Sequence, residues 1–211
     1  VAAAALLEEA HANYNQAIDT LVLHELYSSD ELKALEMDLV RSSYLFGRYL
    51  EGSTACHRAI ESFNRLHSYD ELNDEPLVVR AESLVRAADF RLYCGWNASA
   101  LNGYRAALDM LVEAAVPQSR IDRIFAPEKP VELPALVDGI LDVKASGAFI
   151  EVAFELTRFG TAQNVEVISG GEHGGAGAVE SRIRKGRFRP FAREGEIVDS
   201  PRLVVRYFLA E

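Results

Sequence analysis

Long apolar runs are missing from this sequence. No stretch approaches the roughly 18–20 residues that a membrane-spanning helix needs. The apolar start, Val1 to Leu7, has no basic segment before it and runs into Glu8 and Glu9, so it is not an intact signal peptide. An initiator Met is also absent. The expectation is that the natural start was trimmed; whether a targeting signal, lipid anchor or membrane helix precedes Val1, and with it membrane association through such a segment, stays open at this point. Positive charge is scarce: 22 Lys and Arg stand against 32 Asp and Glu, a net charge of −10. That balance keeps the chain soluble and argues against nucleic acid as a general partner. Cysteine is scarcer still, with only Cys56 and Cys94, far apart and in no CxxC pair.

The usual motifs of chemistry are missing too. His24-Glu25 lacks the second histidine of HExxH, and there is no GxSxG and no Walker lysine motif. His11, His24, His57 and His67 fall at no metal-ligand spacing and read as surface or packing residues. Asn97-Ala98-Ser99 is a formal glycosylation sequon that reads as chance. Gly170 to Gly177 follows a strand pattern and precedes a helix pattern, a context able to cradle phosphate. The GxGxxG spacing fails, however, and Glu172 would repel an anion, so the segment reads as a loop. The expectation is a protein without catalytic, metal or cofactor site.

What is present divides in two. Apolar residues up to about residue 116 recur every three and four positions, as in Leu32, Leu35 and Leu39, and no proline occurs from Val1 to Glu75. This predicts helices over about 2–24, 30–50, 54–67, 75–94 and 97–116. Serine precedes glutamate by three residues in Ser28-Ser29-Asp30-Glu31 and in Ser68-Tyr69-Asp70-Glu71, the spacing of a capping box. Pro117, Pro127, Pro130 and Pro134 then rule out a long helix. Beyond about residue 147 the period becomes two: Ile150, Val152, Phe154 and Leu156 alternate with Glu151, Ala153, Glu155 and Thr157. That is a strand with one buried and one exposed face. The expected organisation is a helical domain over 1–117, a proline-containing linker over 118–146 and a small domain over 147–211. The fold class is α+β with two domains.

The helical part contains similar segments. Leu39-Val40-Arg41-Ser42 returns as Leu84-Val85-Arg86-Ala87, and His57 to Phe63 matches Tyr104 to Met110. A further copy runs from Asn15 to Leu21. This arrangement resembles tetratricopeptide repeats, although its spacing of about 45 residues exceeds their roughly 34. A plain helical bundle is the other reading. The resemblance implies paired antiparallel helices and a concave surface for proteins or peptides. In such a stack Cys56 begins one helix and Cys94 ends the next, at one end of the pair. A disulfide there would fit an oxidising compartment, and two partly buried thiols is the alternative.

The small domain reads as strand (about 148–157), turn, strand (164–168), glycine-rich loop, helix (177–186), short strand (Arg187 to Phe191), turn and last strand (203–209). Phe149 to Gly160, Asn164-Val-Glu-Val-Ile168, Arg184-Lys-Gly-Arg-Phe-Arg-Pro190, Gly195-Glu-Ile-Val198 and Val205 to Leu209 occur in order. Together they resemble the C-terminal domain of TonB proteins. Gly186 stands where many members carry tryptophan, and the tyrosine-proline motif before the first strand is absent. The resemblance implies a periplasmic domain of Gram-negative bacteria that contacts envelope or outer-membrane proteins. The expected role is a non-enzymatic scaffold, with a TonB-type energy-transduction component or a cell-wall binding protein as alternatives. Candidate partner-binding residues are Arg182, Arg184, Lys185, Arg187 and Arg189 in a basic stretch, and Val204, Arg206 and Phe208 on the last strand. An exposed last strand can accept an extended peptide through backbone hydrogen bonds.

Overall fold

The computed structural model describes residues 75–127, 131, 149–171 and 175–208, and scattered helical positions between 6 and 67. Of the segments before residue 70, Gln16 to Thr20 in the copy Asn15 to Leu21 are helical, the copy Leu39 to Ser42 lies outside the described residues, and the other expected helices are described only at scattered helical positions. Contacts divide the chain into two compact units, Val1–Gly103 and Tyr104–Glu211. The architecture is mixed helix and antiparallel sheet, the α+β class expected. The division falls inside a helix, whereas the sequence places its boundary at the prolines that follow.

Helix α1 spans Leu77–Tyr93 and α2 spans Asn97–Glu113. Pro76 sits just outside α1, where its missing N–H costs nothing, and its carbonyl accepts from the Val79 and Arg80 amides at 2.8 and 3.1 Å. Ala81, Leu84, Val85, Ala88 and Leu92 form the buried stripe at three- and four-residue spacing. The turn after α1 is a Schellman motif. Trp96 N–H donates to Arg91 O and Gly95 N–H to Leu92 O, with Gly95 at φ +80°. The two helices approach closely where Gly103 faces Ala88: a Cβ on Gly103 would lie 3.1 Å from the Ala88 Cβ.

The second unit is built around three antiparallel strands. They are β1 (Phe149–Leu156), β2 (Ala162–Ser169) and β5 (Leu203–Phe208), in the order β2-β1-β5. Ile150, Val152, Phe154 and Leu156 of β1 point to one face and are fully buried with Val165, Ile183 and Phe188. The helix that covers this face is α4 (Ala176–Lys185), with Ile183 as its buried residue. Burying each large apolar side chain contributes about 1.5–3 kcal/mol, so this cluster is the main source of stability in the unit. A short helix, α3 (Gln118–Phe125), fits between Pro117 and Pro127 and buries Ile121 and Phe125. Tyr104 and Phe125 meet with ring centroids 6.1 Å apart. The Gln118 amide donates to Ala192 O at 3.0 Å, and the Arg189 guanidinium donates to Ile124 O. These contacts give the proline-bounded segment a packed place in the second unit.

One strand is displaced from its expected position. The sequence suggests a strand over Arg187 to Phe191, but the structure starts β3 at Phe191 (Phe191–Arg193) and pairs it with β4 (Glu196–Val198). Pro190 has no N–H to donate, so a ladder cannot run through it. Only Phe188 of the preceding stretch forms an isolated bridge. Glu194 and Gly195, both at positive φ, make the tight turn of this separate hairpin.

The β1–β2 turn depends on Gly160, at φ +70°. A Cβ there would lie 1.8 Å from Phe188 O, and Phe188 N–H donates to Gly160 O at 2.9 Å. Gly160→Ala therefore meets both an unfavourable backbone conformation and a backbone clash. It should cost more than about 2 kcal/mol of unfolding free energy, read by urea denaturation.

Candidate functional site

The two edges of the sheet differ. Pairing of β1 with β2 is interrupted twice, between Glu151 and Val152 and between Ala153 and Glu155. The second irregularity holds Asn164 at φ +52°, with its amide donating to Glu155 Oε2 at 2.7 Å. Bulges of this kind twist a strand and spoil its outer edge as a template. Pairing of β1 with β5 is unbroken across six residue pairs, from Phe149↔Phe208 to Phe154↔Leu203. Among the described residues β5 pairs with β1 alone. In a regular antiparallel strand every second residue directs its N–H and C=O away from the partner. The outer side of β5 therefore presents a straight row of backbone donors and acceptors.

The side chains of β5 divide between two faces. Leu203, Val205 and Tyr207 pack against the buried cluster beneath α4. Val204 and Arg206 lie on the opposite face, where Val204 is 56% exposed. That face is polar. Arg206 Nε donates to Glu151 Oε1 at 2.7 Å, and its guanidinium lies 4.9 Å from the centre of the Phe149 ring. Arg202, just before β5, pairs with Glu166 on β2. Glu166 and Val204 both face Ala153, which is fully buried although it lies on the open side of the sheet. The small methyl group suits a position that an ion pair reaches across.

The structure separates the residues of the basic stretch. Arg182, Arg184 and Lys185 occupy the last turn of α4, where positive charge complements the helix dipole. Arg184 pairs with Glu180 at 2.7 Å and donates to Val165 O at 2.9 Å, fastening α4 to β2. Arg187 is exposed just beyond the helix. Arg189 is half-buried and holds α3, so it serves packing. Arg193 meets Glu194 at 3.6 Å on the hairpin. Of the last-strand candidates, Val204 and Arg206 are exposed on the edge. Phe208 stands opposite Phe149 in the ladder, and its side chain lies outside the described part. Sequence reasoning missed Arg202, Glu151 and Glu166. A signal was available: Glu151 and Glu155, like Arg202 and Arg206, are spaced to share one face of a strand.

In the first unit, Cys94 caps α1 and is disulfide-bonded. Cys56 is the only other cysteine in the sequence and lies outside the described residues. The next residue, His57, sets its ring edge-on to Trp96 at 4.6 Å, and Trp96 follows Cys94 by two. Arg91 donates to Asn64 Oδ1 at 2.8 Å, and burial lowers the pKa of its guanidinium. Among the described residues no group of three His, Cys, Asp or Glu side chains is placed to hold a metal. No described helix is long and apolar enough to cross a membrane.

Comparison with protein-family models, with curated proteins and with solved structures yields no match.

Cys94 is disulfide-bonded and Cys56 is the only other cysteine in the sequence, so a bridge within the chain is the expected pairing. Titration of unfolded, non-reduced protein should then find no reactive thiol. Reduction should lower stability by about 2–4 kcal/mol. Two reactive thiols in the oxidised protein would reject a bridge within the chain.

Proposed function

We propose that this protein is a non-enzymatic binding scaffold of the bacterial cell envelope, which captures an extended segment of a partner protein along β5. The observation that carries the reading is the contrast between edges: β5 is straight and unbulged, whereas β2 is interrupted twice. A strand added to β5 would complete hydrogen bonds along six residues and continue the antiparallel sheet. The face beneath α4 stays filled throughout, so capture needs no repacking of the core.

The finer fold reading belongs to the same proposal. The order β1, β2, α4, β5 supports a TonB C-terminal-like domain, and the α1–α2 pair with its Ala88–Gly103 approach supports TPR-like stacking. The disulfide-bonded state of Cys94 supports a periplasmic location, because such bonds persist in oxidising compartments. In this reading the helical unit offers a second protein-binding surface. No cofactor and no reaction are assigned to either unit.

The test compares the two edges directly. A photo-crosslinking residue is placed at Val204 on β5 or at Ile168 on β2, both exposed, and illuminated in a Gram-negative envelope. A discrete adduct from position 204 and none from 168 is the expected result. Equal adducts from both, or none from 204, would reject β5 as the capturing edge.

A further inference from the structure

The geometry points to the kind of segment that β5 accepts: an extended peptide with acidic, apolar and acidic side chains at alternate positions. This rests on the strand-capture reading above and adds its chemical specificity.

Arg202, Val204 and Arg206 follow one another at every second residue, so all three belong to the open face of the sheet. Both arginines start from the sheet edge and reach inward over the sheet, yet stay more than half exposed. Arg206 is 60% exposed and Arg202 54%. From Pro201 to Phe208 there is no acidic residue. The carboxylates that these arginines meet lie inward, Glu151 on the central strand and Glu166 on the far strand. Arg206 meets Glu151 through Nε, and its two Nη groups have no hydrogen-bond partner among the described residues. Arg202 likewise uses a single nitrogen, Nη2, on Glu166. The Arg206 guanidinium keeps donors for a second carboxylate arriving from the outer side, and Arg202, an exposed and flexible side chain, would turn from Glu166 to meet one. Between them Val204 leaves an apolar step 56% exposed. A strand laid beside β5 sets its own side chains opposite these three in the same alternation.

The same pattern disfavours a second copy of this chain as the occupant. If two β5 strands paired antiparallel about Val204, Arg202 of each would face Arg206 of the other. Like charges directly opposite destabilise a strand pair. The two arginines thus oppose self-pairing in that register, whereas an acidic strand meets no like charge there.

The test is a fluorescence anisotropy titration of the full chain with two labelled synthetic peptides of one extended sequence. One carries Glu, Val and Glu at alternate positions, and the other carries Lys, Val and Lys. The Glu peptide should bind about tenfold or more tightly at low salt, with the gap closing as salt screens the charges. Arg202→Gln with Arg206→Gln should bring the two peptides to within about twofold. Because the peptides themselves are varied, the comparison on the unaltered protein decides even if that variant misfolds. Equal affinity, or preference for the Lys peptide, overturns the acidic specificity while the edge-capture reading stands. Saturable binding of neither peptide overturns both. A Glu peptide N-methylated at alternate backbone positions should lose binding. If it binds as tightly as the unmodified peptide, charge alone is recruiting it, and both readings fail.

Discussion

A strand at the edge of a sheet has backbone N–H and C=O groups on its outer side that must find water or another partner, and this constraint shapes the C-terminal unit. Among the described residues its sheet has three strands and hence two edges. On β2 the chain answers with bulges and with Asn164 in a left-handed conformation. On β5 it keeps the ladder straight and relies on exposed arginines instead. An unbulged strand edge flanked by arginines resists pairing with a copy of itself in the register that sets those arginines opposite each other. The asymmetry between the two edges is therefore where a function can be read in this unit.

The rest of the unit keeps that edge in place. The covered face is apolar without interruption along β1, and Phe154 and Phe188 meet with ring centroids 5.3 Å apart. Gly160 allows the backbone around Phe188 to approach the β1–β2 turn, and Ser200 holds the end of β1 through its hydroxyl, which accepts from the Leu156 amide at 2.7 Å. Ser200 also donates its amide to Leu156 O at 2.8 Å, so the chain entering β5 is registered against β1 at its first contact. With register fixed there, the side-chain alternation of β5 follows: Val205 and Tyr207 toward the core, Val204 and Arg206 outward.

Much of this was legible in the sequence, for identifiable reasons. The period of two in Phe149 to Leu156 announces a half-buried strand, and the structure places that strand within a residue of the expected ends. Spacing of three and four likewise locates α1 and α2 to within about three residues, with Gly95 marking the turn between them. The hairpin after Pro190 was harder to see, because three-residue strands are too short to show a period, and its partner Glu196–Val198 read only as a turn. The basic stretch looked like one surface because residues close in sequence suggest a patch. Packing instead divides it: Arg184 faces β2 and Arg189 faces α3. The ion pairs of the open face escaped notice because they join residues 36 and 55 positions apart. Only the strand order, which no local pattern encodes, brings them together.

The central claim is that the outer side of β5 is unoccupied in the free protein. Residue-resolved amide hydrogen exchange tests it most directly. The account predicts alternation along Leu203–Phe208, with amides bonded to β1 protected and those pointing outward exchanging at nearly unprotected rates. Uniform protection of all six amides would mean that the edge is already covered, and would contradict the account.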